Sequence, residues 1–220
     1  MFFVGREKES RKIIKLLKLG RNVILTGKFG VGRTALMRHI AAKTANRWLF
    51  FFVDFSKTPG NVIKQLSVLM SRGKTSKNRN VNCRYKSNRS LVVYNSLKDS
   101  RNTVLVLDNI TKLTVQRQRL IRYFALEGQF QFVAIVERFL PSHDLFILRS
   151  MLAVEEPITL SNLSRKNTKE LIRYIAETQA LQLSEQDLNV LTSINRGYPL
   201  GAYEMMQKEH LKGRGNGCGY

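Results

Sequence analysis

The sequence predicts an α/β fold: a parallel sheet flanked by helices, followed by a small helical unit. Three observations carry this. Short apolar runs that fit buried strands alternate with stretches of helical spacing. The first strand runs into a glycine-rich loop and then a helix, and from residue 162 onward only helical spacing remains. The boundaries that follow are a core over 1–161, a helical lid over 162–212 and a flexible tail, GRGNGCGY, over 213–220.

Taken in order, REKESRKIIKLLKL (6–19) sets apolar residues at 13, 14, 16, 17 and 19 among bases, which predicts an amphipathic helix stopped by Gly20. RNVILTG (21–27) is a buried strand entering the glycine loop, and TALMRHIAAKTA (34–45) is the helix leaving it. A second strand, containing WLFFFV, spans 48–54 and ends in Asp54; NVIKQLSVLM (61–70) is helical. The stretch 71–90, SRGKTSKNRNVNCRYKSNRS, is rich in Lys and Arg, holds no acid and predicts a mobile loop. After a short helix come TVLVLDN (103–109), helical spacing at 113–126, the strand FQFVAIVER (130–138) and a short strand, PITL (157–160).

Hydrophobic residues make up 43% of the 220 and charged residues 24%, as in globular chains, but 37 Lys and Arg against 16 Asp and Glu give a net charge of +21. That excess favours a polyanionic partner through attraction and counterion release, nucleic acid foremost. No run approaches the roughly 20 apolar residues that span a bilayer, and the N-terminus has no apolar signal region, so a cytoplasmic location and no membrane partner are expected. Cys83 and Cys218 stand far apart without zinc spacing, and His39, His143 and His210 are scattered.

The chemistry is concentrated in GKFGVGRTAL, 27–36. Its spacing, GxxxxG[KR][ST], lets backbone N–H groups wrap a phosphate while the following helix points its positive dipole at the same anion. Gly27, Lys28, Gly30, Val31, Gly32, Arg33, Thr34 and Ala35 form the candidate cradle for ATP or ADP. Thr34 would place its hydroxyl on Mg²⁺. Arg33, where lysine is usual, would reach the β and γ phosphates with a wider, permanently charged fork, and Lys28 would add charge. Asp108, at the end of the third strand, would orient Mg²⁺ through water. The next position is Asn109; an amide cannot accept a proton from water, so the general-base contribution, about 10²- to 10⁴-fold, is missing. Binding is expected to outlast turnover.

FVGREKE (3–9), the phosphate loop, VLVLDN, VAIVER, ITLSNLSRKNTKELI (158–172) and GYPLGA (197–202) occur in an order that resembles the STAND branch of the AAA+ ATPases, including origin-recognition-like members, over about residues 3–206. The resemblance implies a P-loop core with a helical lid. It further implies that Val4, Gly5 and Arg6 line the adenine pocket, that Arg138 is the sensor arginine reading the γ-phosphate, and that Pro199 carries the lid to the base. Glu137 departs from the small hydroxyl residue usual beside that sensor. The plainer readings of the same residues are a surface base for Arg138 and a helix-capping turn for the GYP segment. The resemblance also implies self-association into homo-oligomers.

In the basic stretch, Lys74, Lys77, Arg79, Arg84, Lys86 and Arg89 are the candidate nucleic-acid contacts, with Tyr85 as a stacking face. No base-reading motif appears, so binding to DNA should be sequence-tolerant and salt-dependent. The function expected is a nucleotide-binding switch or scaffold with weak or no hydrolysis that associates with DNA. The alternatives are a signalling scaffold that meets an acidic protein partner, and a nucleic-acid-binding module that has lost nucleotide.

Overall fold

The computed structural model describes residues 2–71, 85–96, 101–127 and 130–215. The chain begins with α1 (Glu7–Lys18), β1 (Val23–Gly27), α2 (Arg33–Lys43), β2 (Trp48–Asp54) and α3 (Pro59–Ser71). It continues with α4 (Tyr85–Ser96), β3 (Asn102–Ile110), α5 (Val115–Leu126), β4 (Phe130–Val136), α6 (Ser142–Leu152) and β5 (Ile158–Leu160). Three helices follow: α7 (Arg165–Thr178), α8 (Glu185–Asn195) and α9 (Pro199–Gly215).

The strands form a parallel sheet of order β2-β3-β4-β1-β5. Its strands read as unbroken apolar runs because both faces are covered. Val23, Leu25, Val104, Val106, Val133 and Ile135 pack against α1 and α2, through Ile13, Leu17, Leu36, Met37 and Ile40. Ile24, Leu105, Leu107, Phe132 and Ala134 point the other way, into a cluster that includes Leu66 of α3, Val92 of α4, Phe124 of α5 and Leu148 of α6. The alternation along each strand thus feeds two cores from one sheet.

Two details of the topology position the site. From β1 the chain crosses toward β2, and from β4 it crosses the opposite way toward β5, so the carboxyl ends of these neighbouring strands flank a crevice. Between β3 and β4 the register slips between Leu107 and Ile110, with Asn109 at φ 59°; this bulge re-aims Asp108 and Asn109 at the rim of the sheet.

The last three helices enclose a separate apolar cluster of Leu171, Ile172, Ile175, Leu188, Ala202 and Met206, with Phe2 and Val4 packed against it. Phe2 stacks on Tyr174 at 3.8 Å between ring centroids, so the N-terminal segment is held by α7. Ser164 caps α7, and Ser184 with Asp187 forms a capping box on α8.

The structure departs from the sequence reading in three places. Residues 85–90, expected in a mobile loop, form the first half of α4, and Val92 is wholly buried; residues 72–84 lie outside the described residues. A helix, α6, fills the interval between β4 and β5 where no element was expected: after Pro141 its Leu148 and Leu152 are buried against the sheet. The last helix continues to Gly215, so the first three residues of the expected tail are helical, and 216–220 lie outside the described residues.

Candidate nucleotide-binding site

The phosphate loop leaves β1 at Gly27 and enters α2 through Gly32, whose φ of 94° is open to glycine and strained for other residues. The first intrahelical bond of α2 is from the Leu36 N–H to the Gly32 carbonyl at 2.9 Å, and no side chain caps the helix. The amides of Arg33, Thr34 and Ala35 therefore precede the first donor of the helical ladder and face the loop with the positive end of the dipole. A Cβ built on Gly32 would meet nothing within 4 Å, so the space before this residue is clear.

Thr34 Oγ1 donates to Asp108 Oδ2 at 2.9 Å, and the other carboxylate oxygen of Asp108 accepts the Asn109 N–H at 3.0 Å. A hydroxyl and a carboxylate oxygen brought together beside unpaired amides are the hard donor set that Mg²⁺ prefers, and these two residues fit the ion the sequence implies. Thr34 and Asp108 would hold it, and the ion would neutralise phosphate charge there.

Arg33, at the position where the sequence motif usually carries lysine, is engaged by the protein itself. Arg33 is buried, with 6% of its side chain exposed, and Glu137, 7% exposed, meets it: Arg33 Nη2 donates to Glu137 Oε1 at 2.5 Å, while Nη1 donates to the Val136 carbonyl. The guanidinium expected on the β and γ phosphates thus spans the crevice to the end of β4. Asn109 is exposed at the end of β3, near Asp54 at the end of the neighbouring β2. The Asp54 carboxyl is held below its ordinary value chiefly by the Ser56 hydroxyl, with the Ser56 amide, Asn109 and the charge of Lys57 adding to this against a smaller opposing effect of burial.

Arg6 joins three parts of the chain. It sits at φ 68°, is 8% exposed, and donates to Glu9 Oε1 at 3.3 Å, to the Val31 carbonyl of the phosphate loop at 3.3 Å and to the Ser161 carbonyl where β5 leads to α7. Asn167, in the first turn of α7, lies against Gly5. Val4, Gly5 and Arg6 are therefore gathered beside the loop and the first lid helix.

The start of α9 seats directly on the loop. The Tyr198 hydroxyl donates to the Phe29 carbonyl at 2.9 Å, and the Leu200 N–H donates to the Gly30 carbonyl at 3.2 Å, so the loop supplies a partner for an amide of the first turn of α9. A Cβ on Gly30 would fall 2.5 Å from the Tyr198 oxygen and 2.6 Å from Leu200 Cβ; only glycine admits this approach. Pro199, between them, opens α9.

Not every nominated residue converges. Arg138 lies exposed in the turn after β4, and Lys28 is exposed on the loop. Arg89 packs over the ring of Tyr123, 3.6 Å from its centroid, rather than standing clear as a nucleic-acid contact. Lys74, Lys77, Arg79 and Arg84 lie outside the described residues, as does the side chain of Lys86. Within the basic stretch 112–122, Arg117 is buried and donates to the carbonyls of Lys112, Ser56 and Lys57, while Lys112, Arg119 and Arg122 are exposed. The exposed bases of α1 and α5 lie on opposite faces of the sheet.

Glu137, Tyr198, Leu200, Asn167 and Asp54 enter the site without having been nominated for it. An acid directly after an apolar strand beside an arginine-bearing phosphate loop was the one signal available for Glu137. The others depend on lid placement and strand order. Among the described residues there is no cluster of three metal-ligating side chains and no helix long and apolar enough to cross a membrane.

No protein-family model matches the chain, and no curated protein sequence matches it. Solved structures do. The chain superposes on the Orc1 protein of Aeropyrum pernix in complex with DNA with a TM-score of 0.69 at 15% identity, covering 98% of this chain and 62% of that one. It matches Cdc6p of Pyrobaculum aerophilum at 0.62 and 14% identity, covering 98% and 65%. For the RuvB Holliday junction branch migration motor of Thermotoga maritima the values are 0.57 and 18%, covering 93% and 61%. The chain spans less than two thirds of the length of each. The likeness is one of fold: these structures share the parallel sheet and flanking helices described above, an AAA+ P-loop type of architecture.

Proposed function

We propose that the chain is a nucleotide-operated switch or scaffold of the AAA+/STAND kind, which binds ATP or ADP with Mg²⁺, turns it over slowly or not at all, and associates with DNA. The observation that carries this reading is the Thr34–Asp108 hydrogen bond beside the uncapped start of α2: an anion cradle and a hard-cation donor set in one place, at the crevice between β1 and β4. The nucleotide base would lie among Val4, Gly5 and Arg6, in contact with the lid over 162–212.

Slow turnover is supported by the ion pair that holds Arg33 on Glu137 and by an amide, Asn109, where a general base would be needed. The lid supplies the switch. Arg6 ties the phosphate loop to Ser161, and Tyr198 and Leu200 tie it to α9, so a ligand that moves the loop would change contacts at the approach to α7 and at the start of α9. Arg138, exposed in the turn after β4, would serve as the sensor of a terminal phosphate that the resemblance implies.

Association with DNA is supported by the net charge of +21 and by the exposed bases Arg11, Lys12, Lys15 and Lys18 on α1. A replication, mobile-element or defence setting would suit a protein of this kind. Titrating the purified chain with a fluorescent adenine nucleotide and Mg²⁺ tests the first half: saturable binding is expected, and none at tens of micromolar protein would leave the nucleotide-free module standing. A salt series with duplex DNA tests the second. Steep weakening with salt is expected; lack of binding at low salt would favour the acidic protein partner.

A further inference from the structure

The cation of the phosphate loop is already spent. The Arg33 guanidinium gives one nitrogen to the Val136 carbonyl and another to Glu137 Oε1 at 2.5 Å, with both side chains removed from solvent. Glu137 is itself anchored: its N–H donates to the Ile110 carbonyl at 3.1 Å, just past the bulge that carries Asp108. Its backbone is therefore held at the end of β4, so its carboxylate could follow Arg33 no farther than one side chain's reach. It lies within the reach of one arginine side chain from the amides that begin α2.

We infer that Glu137 is a specificity-determining residue that tunes this site to a nucleoside diphosphate over the corresponding triphosphate. The inference rests on the nucleotide reading above. A phosphate loop grips the β-phosphate with its amides, and its cation bridges to the γ-phosphate. A diphosphate ends at the amides and leaves the Arg33–Glu137 pair intact. A triphosphate extends toward the end of β4, where Glu137 presents its carboxylate and the buried Arg33 is already paired with it. Drawing Arg33 to the terminal phosphate would strand an unpaired buried carboxylate beside added negative charge, an arrangement folded proteins strongly disfavour. The pair thus discriminates against the ligand that an unpaired cation would welcome.

The test compares fluorescent ADP and ATP analogues at equal Mg²⁺ on the full chain, the Glu137→Gln variant and the double variant Arg33→Met with Glu137→Met. The parent should bind the diphosphate about tenfold more tightly, or by more than that. Glu137→Gln keeps a hydrogen-bond acceptor but removes the charge, and should shift the ratio about tenfold toward the triphosphate. Should Glu137→Gln fail to fold, the double variant, which exchanges the pair for apolar side chains of similar volume, should bring the two affinities within about threefold. Equal or tighter binding of the triphosphate by the parent would overturn the inference, as would an unchanged ratio in a folded variant. Absence of saturable binding by the parent for either analogue would remove the nucleotide reading and this inference together, whereas binding without diphosphate preference would remove the inference alone.

Discussion

The backbone half and the side-chain half of the phosphate site differ in what they have kept. Along the loop, glycines, unpaired amides and the Thr34–Asp108 bond are arranged as a nucleotide with Mg²⁺ would require. Across the crevice, Arg33 is taken up by Glu137 and Val136, and the position after Asp108 is an amide, Asn109. The contrast teaches that anion binding by a helix start depends on backbone geometry, which the packing of β1 and α2 enforces in any case. Turnover depends on a few side chains whose charges can be neutralised internally without disturbing either core.

The widest departure from this picture would come from restoring turnover. Replacing Arg33 with lysine and Asn109 with glutamate should raise ATP hydrolysis only when Glu137→Ser is added, because the carboxylate would otherwise hold the new lysine as it holds Arg33. Phosphate release by the triple variant is expected about 10²-fold above the parent, with the two-residue variant close to the parent. An equal rise in both would mean that Glu137 does not restrain the cation.

Removing the cation's donors acts on the other half. Thr34→Ala with Asp108→Ala should weaken Mg²⁺-nucleotide binding on the order of 10–100-fold while leaving metal-free binding nearly unchanged, as titrations with and without EDTA would register. A smaller effect belongs to the seat between loop and lid. Gly30→Ala places a Cβ against Tyr198 and Leu200 at a positive φ, so a cost of about 2 kcal/mol and a Tm lower by roughly 4–8 °C are expected by thermal melting.

The smallest effect concerns Asp54. Its carboxyl is depressed in the folded chain, chiefly by the Ser56 hydroxyl, so its contribution to stability is present above the unfolded carboxylate range and is lost as pH falls through the lower folded value. Ser56→Ala should therefore be less stable than the parent near neutrality, with the difference closing below about pH 4. A gap that persists unchanged at pH 3 would show that Ser56 acts by other means.

Much of the fold was legible because its strands are apolar runs of standard length and its phosphate loop has a fixed spacing. The strand at 48–54 is found at Trp48–Asp54, and the first helix, expected over 6–19, at Glu7–Lys18. The helix α6 was not legible: SHDLFILRSML is short and apolar on several sides, with Phe146 exposed, so it carries little of the amphipathic signal that marked α1. The start of α4 was hidden by its basic composition, which reads as loop until Val92 is seen buried against the sheet. At the site, the residues bound to local spacing were found, whereas the partners were not. Arg33 and Glu137 are 104 positions apart, and Tyr198 and Phe29 are 169 apart; pairings of that range are set by strand order and lid packing.

The most direct test of the account is to titrate the full chain with adenine nucleotide and Mg²⁺ while following phosphate release in the same samples. One saturable site with phosphate held at background is the outcome predicted. Turnover by the unaltered chain at about 1 per second or faster, or no binding of either the di- or the triphosphate, would contradict it.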